Sequence, residues 1–262
     1  MGENLFRIGA VSYLNTVPLV WGMIEGPQQS KVELSFSLPS VCSQQVEDRV
    51  IDAGLVPVAE IARQGLEIVP GVGIACLGAV RSILLISRVP VREIRTLAAD
   101  AGSRTSVQLA RVILRERYGS EPAIYRETPK LETMLESADA ALVIGDPALR
   151  IDPQTLNYEC LDLGAEWHAL TGLPMVFATW AGKPGLPVKA MSELTRNSYE
   201  FGKARLDEIV DAEYQRRGIT RSLASRYLRE HIRFEIGAPE QKGLDAFLEL
   251  ADLAVARSGG RA

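Results

Sequence analysis

Short apolar stretches alternate with segments of helical periodicity along most of the chain. Residues 52–56 (DAGLV), 80–87 (VRSILLIS) and 140–144 (AALVI) are largely apolar, which predicts strands buried between two layers. Residues 105–118 instead carry apolar side chains at helical spacing. This alternation is typical of an α/β protein with a parallel sheet.

The same patterns predict the remaining elements. Further strands are predicted over residues 7–11, 32–36, 68–74, 96–99, 123–125, 158–163 and 176–180. Helices are predicted over residues 16–23, 41–50, 130–136 and a stretch ending near residue 63, with Ser40 as the N-cap of the second. From residue 187 onward the pattern is almost entirely helical, with breaks near Gly218 and Gly237.

The strand pattern starts afresh after Pro90, which predicts two lobes. Lobe I would comprise residues 1–88 together with 183–262, and lobe II would be an insertion over residues 89–182. Extended segments near 88–91 and 179–184 are the expected hinges. Two crossing segments of this kind would let the lobes open and close on a ligand, as in a clamp.

Charge and composition narrow the classes of partner. The formal net charge is −4, basic residues are scattered, and only 6% of residues are aromatic, so nucleic-acid binding is disfavoured. Three dispersed cysteines and two histidines predict neither a disulfide framework nor a metal site. No apolar run is long enough to span a bilayer, and the opening residues do not resemble a secretory signal. We therefore expect a cytoplasmic protein with no membrane partner.

Polar residues cluster at four junctions where a predicted strand gives way to a helix. In open α/β sheets, ligands bind at the carboxyl ends of strands, where helix N-termini favour anions. Some of these side chains could equally be helix caps without a ligand. The four junctions offer Ser12, Asn15 and Thr16; Ser40; Ser103, Thr105 and Ser106; and Gly145 with Asp146. Donors facing each other from two lobes would suit a small molecule with two carboxylates.

Six motifs together resemble one enzyme family. They are VSYLNTVPL, GAVRSILLIS, SRTS, IGDPAL, DLGAEWHALTGLPMVFATW and YLREHIRFEIGAPEQKGLDAF, and they span nearly the whole chain. In order and spacing they resemble the chorismate dehydratases of the futalosine route to menaquinone. The resemblance implies a type II periplasmic-binding-protein-like fold and conversion of chorismate to 3-[(1-carboxyvinyl)oxy]benzoate. The family's catalytic asparagine and serine correspond to Asn15 and Ser82.

The implied dehydration makes an aromatic ring, so neither a metal nor a redox cofactor is expected. We expect a stepwise elimination in which the anion-binding junctions stabilise charge growing on the ring carboxylate. The substrate's side-chain carboxylate is the expected base, because the junctions offer only Asp146 and Asp100 as titratable groups. Loss of turnover with retained chorismate binding on changing either aspartate to asparagine would favour a protein base.

Two other functions remain open at this stage. One is the neighbouring enzyme of the same route, which makes 1,4-dihydroxy-6-naphthoate and is expected to use a histidine base. Since no histidine precedes His168, the dehydratase is favoured. The other is a non-catalytic protein that binds a small anion, because the fold alone does not fix the function. The oligomeric state is not predictable from the sequence.

Overall fold

The computed structural model describes residues 5–100, 102 and 104–253. The strands of this part of the chain are β1 (Phe6–Val11), β2 (Val32–Ser37), β3 (Ala53–Pro57), β4 (Glu67–Cys76), β5 (Ile83–Ser87), β6 (Thr96–Asp100), β7 (Ala123–Glu127), β8 (Ala140–Ile144), β9 (Glu159–Asp162), β10 (Met175–Gly182) and β11 (Arg233–Ile236). The helices are α1 (Val17–Glu25), α2 (Pro39–Glu47), α3 (Val58–Gln64), α4 (Arg104–Ile113), α5 (Leu131–Ser137), α6 (Gly145–Arg150), α7 (Leu163–Thr171), α8 (Val188–Lys203), α9 (Leu206–Glu213), α10 (Arg221–Arg226) and α11 (Ala238–Leu250). None of these helices is both long and apolar enough to cross a membrane.

The strands form two sheets, which confirms the predicted α/β class. The six-stranded sheet has the order β11-β4-β10-β3-β1-β2, and the five-stranded sheet has the order β7-β6-β8-β5-β9. Both sheets have helices packed against them, and apolar side chains of both contribute to one large core cluster. A smaller cluster around Leu84, Ile86 and Met134 covers the other face of the five-stranded sheet.

Both sheets are mixed, so the prediction of a parallel sheet is wrong in part. The pairs β1–β2, β1–β3, β6–β7 and β6–β8 are parallel. In contrast, β5 runs antiparallel to β8 and β9, and β10 runs antiparallel to β3 and β4. Two consecutive strands can pair in parallel only when a crossover returns the chain to the same end of the sheet. The chain instead enters β5 and β10 from the other sheet.

The strand pairing shows that the chain crosses between the two sheets outside the predicted hinge segments. Residues 83–87, assigned to lobe I by the sequence, form β5 in the five-stranded sheet. Residues 175–182, assigned to lobe II, form β10 in the six-stranded sheet. The chain therefore passes between the sheets at residues 77–82 and 172–174, not at 88–91 and 179–184. That the two halves move as lobes stays a prediction.

Two further predictions, one for the start of a helix and one for the C-terminal region, are also wrong. Ser40 is not an N-cap: α2 begins at Pro39, with Leu38 as its N-cap, because proline suits the first helical position. The C-terminal region contains a strand, β11, that the helical pattern conceals. This strand has only four residues, and one of them, Phe234, is buried beside the ring of Tyr199. It pairs with β4 at the edge of the six-stranded sheet. The local sequence pattern does not indicate such a pairing between distant segments.

Two of the tryptophans are packing residues. Trp167 and Trp180 are fully buried. Trp167 meets Phe247 edge to face at 6.1 Å between ring centroids, and its Nε1 donates to the carbonyl of Pro174 at 3.0 Å. This contact fastens α7 and α11 beside the second crossing.

The first crossing is fixed by the carboxylate of Asp162, at the end of β9. It accepts hydrogen bonds from the backbone N–H groups of Val80 and Arg81 at 2.9 and 2.6 Å. It also caps α7 by accepting from Gly164 and Ala165 at 2.9 and 3.1 Å. The Arg81 backbone has a φ of +66°, a conformation that costs energy for a residue with a side chain. The Asp162 bonds offset that cost and set the start of β5.

Replacing Asp162 by alanine removes the acceptor from all four N–H groups. We expect Asp162→Ala to lower the free energy of unfolding by about 2–3 kcal/mol, measured by urea denaturation. Asp152→Ala is the matched control, because Asp152 is exposed and accepts one N–H bond, from Gln154. That variant should lose less than about 1 kcal/mol. Equal losses in the two variants would contradict the bracing role of Asp162.

Candidate active site

A cavity lies between the two sheets, at the carboxyl ends of β1, β3, β6 and β8. Its volume is about 590 Å³, counted out to its open mouth. The polar side chains that line it are those of Tyr13, Asn15, Ser82, Arg104, Thr105 and Ser106. Most other lining residues are apolar, among them Leu55, Ile74, Ile83, Ile144 and Phe177. The cavity therefore suits a ligand with an apolar body and a few polar groups.

Asn15 and Ser82 both line the cavity and are joined by a third residue, Tyr227. The Asn15 amide nitrogen Nδ2 donates to the Tyr227 hydroxyl at 3.0 Å. The Tyr227 hydroxyl donates to Ser82 Oγ at 2.8 Å. Asn15 Oδ1 is buried and has no hydrogen-bond partner among the described residues. These three residues, which we call the Asn15–Tyr227–Ser82 array, bring together the pair predicted to be catalytic.

Gly145 and Tyr13 fit closely beside this array. Gly145 has a φ of +63°, and a Cβ atom built on it would lie 2.7 Å from the Tyr13 ring. A side chain at this position is therefore excluded both by backbone strain and by space. The Gly145 N–H donates to the Ser82 carbonyl at 2.8 Å. Gly145 thus lines the cavity as predicted, but its N–H is already engaged.

The first turn of α4 forms a second polar part of the lining. Arg104, Thr105 and Ser106 all line the cavity there. The first N–H groups of a helix lack intrahelical acceptors and carry a partial positive charge, which favours a carboxylate. Thr105 also joins α4 to α3, because its Oγ1 accepts from the N–H of Ala59 at 3.2 Å.

Arg104 is the charged residue of the described lining, and it is paired with Glu60 of α3. Arg104 Nη1 lies 3.0 Å from Glu60 Oε1. Glu60 is only 3% exposed, and it also receives Arg63 at 2.9 Å and the Gln64 amide at 3.1 Å. Because Glu60 has these other partners, the Arg104 guanidinium can turn to a ligand without leaving a bare buried carboxylate.

Asp146 lies outside the cavity and is held by structural contacts. Its Oδ1 accepts from the Leu14 N–H at 3.0 Å, and its Oδ2 lies 2.6 Å from Arg217 Nη1. Arg217 also donates to the Ser12 carbonyl and pairs with Glu213. The residue therefore ties α6 to the segment that carries Asn15.

The structure does not bring every predicted residue to the cavity. Ser12 is exposed and outside the lining, and half-buried Ser40 is also outside it. Thr16 is buried under α1. Ser103 lies outside the described residues. Of the predicted substrate-binding residues, Thr105, Ser106 and Gly145 line the cavity. The roles of all these residues in binding stay predictions.

One phenol and one carboxyl group near the cavity have shifted pKa values. Burial raises the pKa of the Tyr13 phenol, and the nearby charges of Asp100 and Asp146 raise it further. Burial also raises the pKa of Asp100, although its Oδ1 accepts a hydrogen bond from the Gly102 N–H. Asp100 does not line the cavity. Tyr13 is therefore a neutral donor at the cavity wall.

Tyr227, Arg104 and Tyr13 are the site residues that sequence reasoning missed. Tyr227 begins a π-helical turn, Tyr227–His231, that is 212 positions from Asn15 in the chain. Wide turns of this kind are frequent at functional sites, but the sequence gives no local signal for them. Arg104 lies inside the SRTS motif, so the motif itself offered a signal, and Tyr13 lies in SYLN.

Comparison with known proteins relates this chain to biosynthetic enzymes. The chorismate dehydratase of Thermus thermophilus is 31% identical over 207 residues, which are 73% of this chain and 75% of that protein. The chorismate dehydratase of Campylobacter jejuni is 26% identical over 252 residues, which are 92% of this chain and 95% of that protein.

Solved structures show the same fold at low identity. A protein of Archaeoglobus fulgidus has a TM-score of 0.77 at 16% identity, with 94% of this chain and 96% of that chain covered. The periplasmic aliphatic sulphonate binding protein SsuA of Escherichia coli has a TM-score of 0.62 at 15% identity, with coverage of 95% and 88%. The predicted periplasmic-binding-protein-like fold is confirmed.

A family model described as menaquinone biosynthesis matches residues 6–252, nearly the entire chain. That extent includes both sheets, both crossings and every described residue of the cavity lining. The protein is therefore a member of the menaquinone biosynthesis family.

Proposed function

We propose that this protein is a chorismate dehydratase, a lyase that removes water from chorismate to give 3-[(1-carboxyvinyl)oxy]benzoate in the futalosine route. The observation that carries the proposal is the Asn15–Tyr227–Ser82 array, two of whose members line a mostly apolar cavity together with the first turn of α4. The names of the two curated relatives support it. As a biosynthetic enzyme, it would work in the cytoplasm.

The two polar parts of the cavity match the two ends of chorismate. Its ring carboxylate would lie against the first turn of α4, within reach of Arg104 and Ser106. Its ring hydroxyl would then lie toward Asn15 and Ser82. The apolar walls, such as Leu55 and Phe177, would enclose the ring and exclude water. This orientation places a fixed positive charge where negative charge develops during the reaction.

The elimination proceeds through charge that the ring carboxylate can accept. A base removes the proton from the ring carbon that carries the ether, and the C–H electrons delocalise toward that carboxylate. These electrons then form the new ring double bond as the neighbouring C–O bond breaks. The proton and the hydroxyl leave as one water molecule, and the ring becomes aromatic. Ser82 would donate a hydrogen bond to the leaving oxygen, and Asn15 would hold the hydroxyl in place.

The base is proposed to be the side-chain carboxylate of chorismate itself. Asp146 is a poor candidate, because Leu14 and Arg217 already engage both of its oxygens. Asp100 has a raised pKa but lies outside the cavity lining. A substrate carboxylate held close to the ring proton gains from its high effective concentration.

Conversion of chorismate by the purified protein tests the proposed function. We expect the wild type to form 3-[(1-carboxyvinyl)oxy]benzoate, detected by its aromatic ultraviolet absorption and its mass. Ser82→Ala should lower kcat by about a hundredfold or more, because it removes the donor to the leaving oxygen. Chorismate bound but recovered unchanged from the wild type would contradict the proposal and favour a non-catalytic binding protein.

The role of Arg104 is tested by comparison with Arg63, the other arginine of the Glu60 cluster. We expect Arg104→Met to raise the chorismate KM about tenfold to a hundredfold, because it removes a charged partner of the ring carboxylate. Arg63→Met also breaks an ion pair with Glu60, but Arg63 does not line the cavity, so its KM should stay within about twofold. Equal increases in both variants would show that Glu60, and not the substrate, is the partner that matters.

A further inference from the structure

The Tyr227 hydroxyl bonds both Asn15 and Ser82, but Tyr227 itself does not line the cavity. The side chain is 1% exposed, and it is absent from the cavity lining. It comes from the turn after α10, whereas Asn15 follows β1 and Ser82 precedes β5. Three distant parts of the chain are thus joined through one phenol oxygen, at 3.0 and 2.8 Å.

The Asn15 amide fixes the direction of one hydrogen bond in the array, and the geometry assigns the direction of the other. An amide nitrogen only donates, so the Tyr227 oxygen accepts from Asn15. The phenol has a single proton, which it donates to Ser82 Oγ. Ser82 therefore accepts on one side and has its own proton free. Its Oγ takes part in no other hydrogen bond in the described part of the chain, and Ser82 lines the cavity.

The phenol is suited to a permanent donor role. Burial raises the pKa of Tyr227 and outweighs the hydrogen bonds with Ser82 and Asn15, which lower it, so the hydroxyl keeps its proton at physiological pH. Chains of hydrogen bonds that run in one direction polarise one another. Each bond in the array thus strengthens Ser82 as a donor toward the cavity.

We propose that Tyr227 is a positioning residue that orients the Ser82 hydroxyl as a hydrogen-bond donor to the leaving oxygen and fixes the rotamer of Asn15. This inference rests on the proposed dehydratase function. Without the phenol, the Ser82 hydroxyl would be free to rotate, and the Asn15 amide would lose its anchor. Tyr227 would affect the chemical step and leave substrate binding largely unchanged.

Tyr227→Phe keeps the ring and removes only the hydroxyl. We expect kcat for chorismate to fall about tenfold to a hundredfold, with KM changed less than about threefold. Tyr199→Phe is the matched control, because Tyr199 is also buried but packs beside Phe234 and makes no hydrogen bond to Asn15 or Ser82. Its kcat should remain that of the wild type.

A double-mutant cycle separates positioning from general structural support. In the Ser82→Ala background, Tyr227→Phe should lower kcat by clearly less than in the wild type, because the part of its effect that passes through the Ser82 hydroxyl is already lost and only the part through Asn15 remains. A loss that multiplies with that of Ser82→Ala would overturn the inference, as would an unchanged kcat in the single variant. If the wild type does not convert chorismate, the proposed function fails first and the inference falls with it.

A second substitution covers the case in which Tyr227→Phe does not fold. Site-specific 3-fluorotyrosine at position 227 keeps the ring and the hydroxyl but makes the phenol a stronger donor. We expect kcat to change by at least about twofold while KM is unaffected. An unchanged kcat with this residue would overturn the inference.

Discussion

The site depends on how the chain is held where it first passes between the two sheets. The carboxylate of Asp162 accepts four backbone hydrogen bonds, two from the crossing and two from the start of α7. Arg81 reinforces this arrangement, because its guanidinium donates to carbonyls at the end of α6, including that of Ala148 at 3.0 Å. Ser82 is the next residue. Its place at the cavity follows from these contacts and not from any property of serine.

A second set of contacts holds the segment that carries Asn15. Asp146 binds the Leu14 N–H and Arg217, and Gly145 packs under the Tyr13 ring. The segment that carries Asn15 is thereby fixed to the end of β8. With Asn15 and Ser82 both set by backbone contacts, the Tyr227 hydroxyl fits between them at hydrogen-bonding distance to each. Residues that do no chemistry thus establish the geometry of those that would.

Much of the fold was predictable from the sequence, since local patterns determine local structure. Buried strands such as β3 and β8 are marked by continuous apolar runs, and α4 by its helical spacing. Strand pairing is different, because it is decided by contacts between distant segments. The sequence therefore misplaced β5 and β10 between the halves of the molecule, and it missed β11 altogether.

The site was predictable to a similar degree. Asn15, Ser82, Thr105, Ser106 and Gly145 were all expected at a ligand cleft and all line the cavity. Tyr227 was not found, because no short-range pattern distinguishes it from a core tyrosine. Asp146 was expected to face the ligand, but its two oxygens are used to join elements of the fold. An aspartate that follows a buried strand has the same local sequence pattern whether it binds a ligand or only joins structural elements.

A crystal structure of the Ser82→Ala variant with chorismate bound would test the account most directly. We expect the ring carboxylate to lie at the first turn of α4 within hydrogen-bonding distance of Arg104, and the ring hydroxyl to lie beside Asn15. We also expect the side-chain carboxylate to lie close to the proton that is removed. A reversed substrate, with its ring hydroxyl at Arg104 and its ring carboxylate at Asn15, would contradict the proposed mechanism.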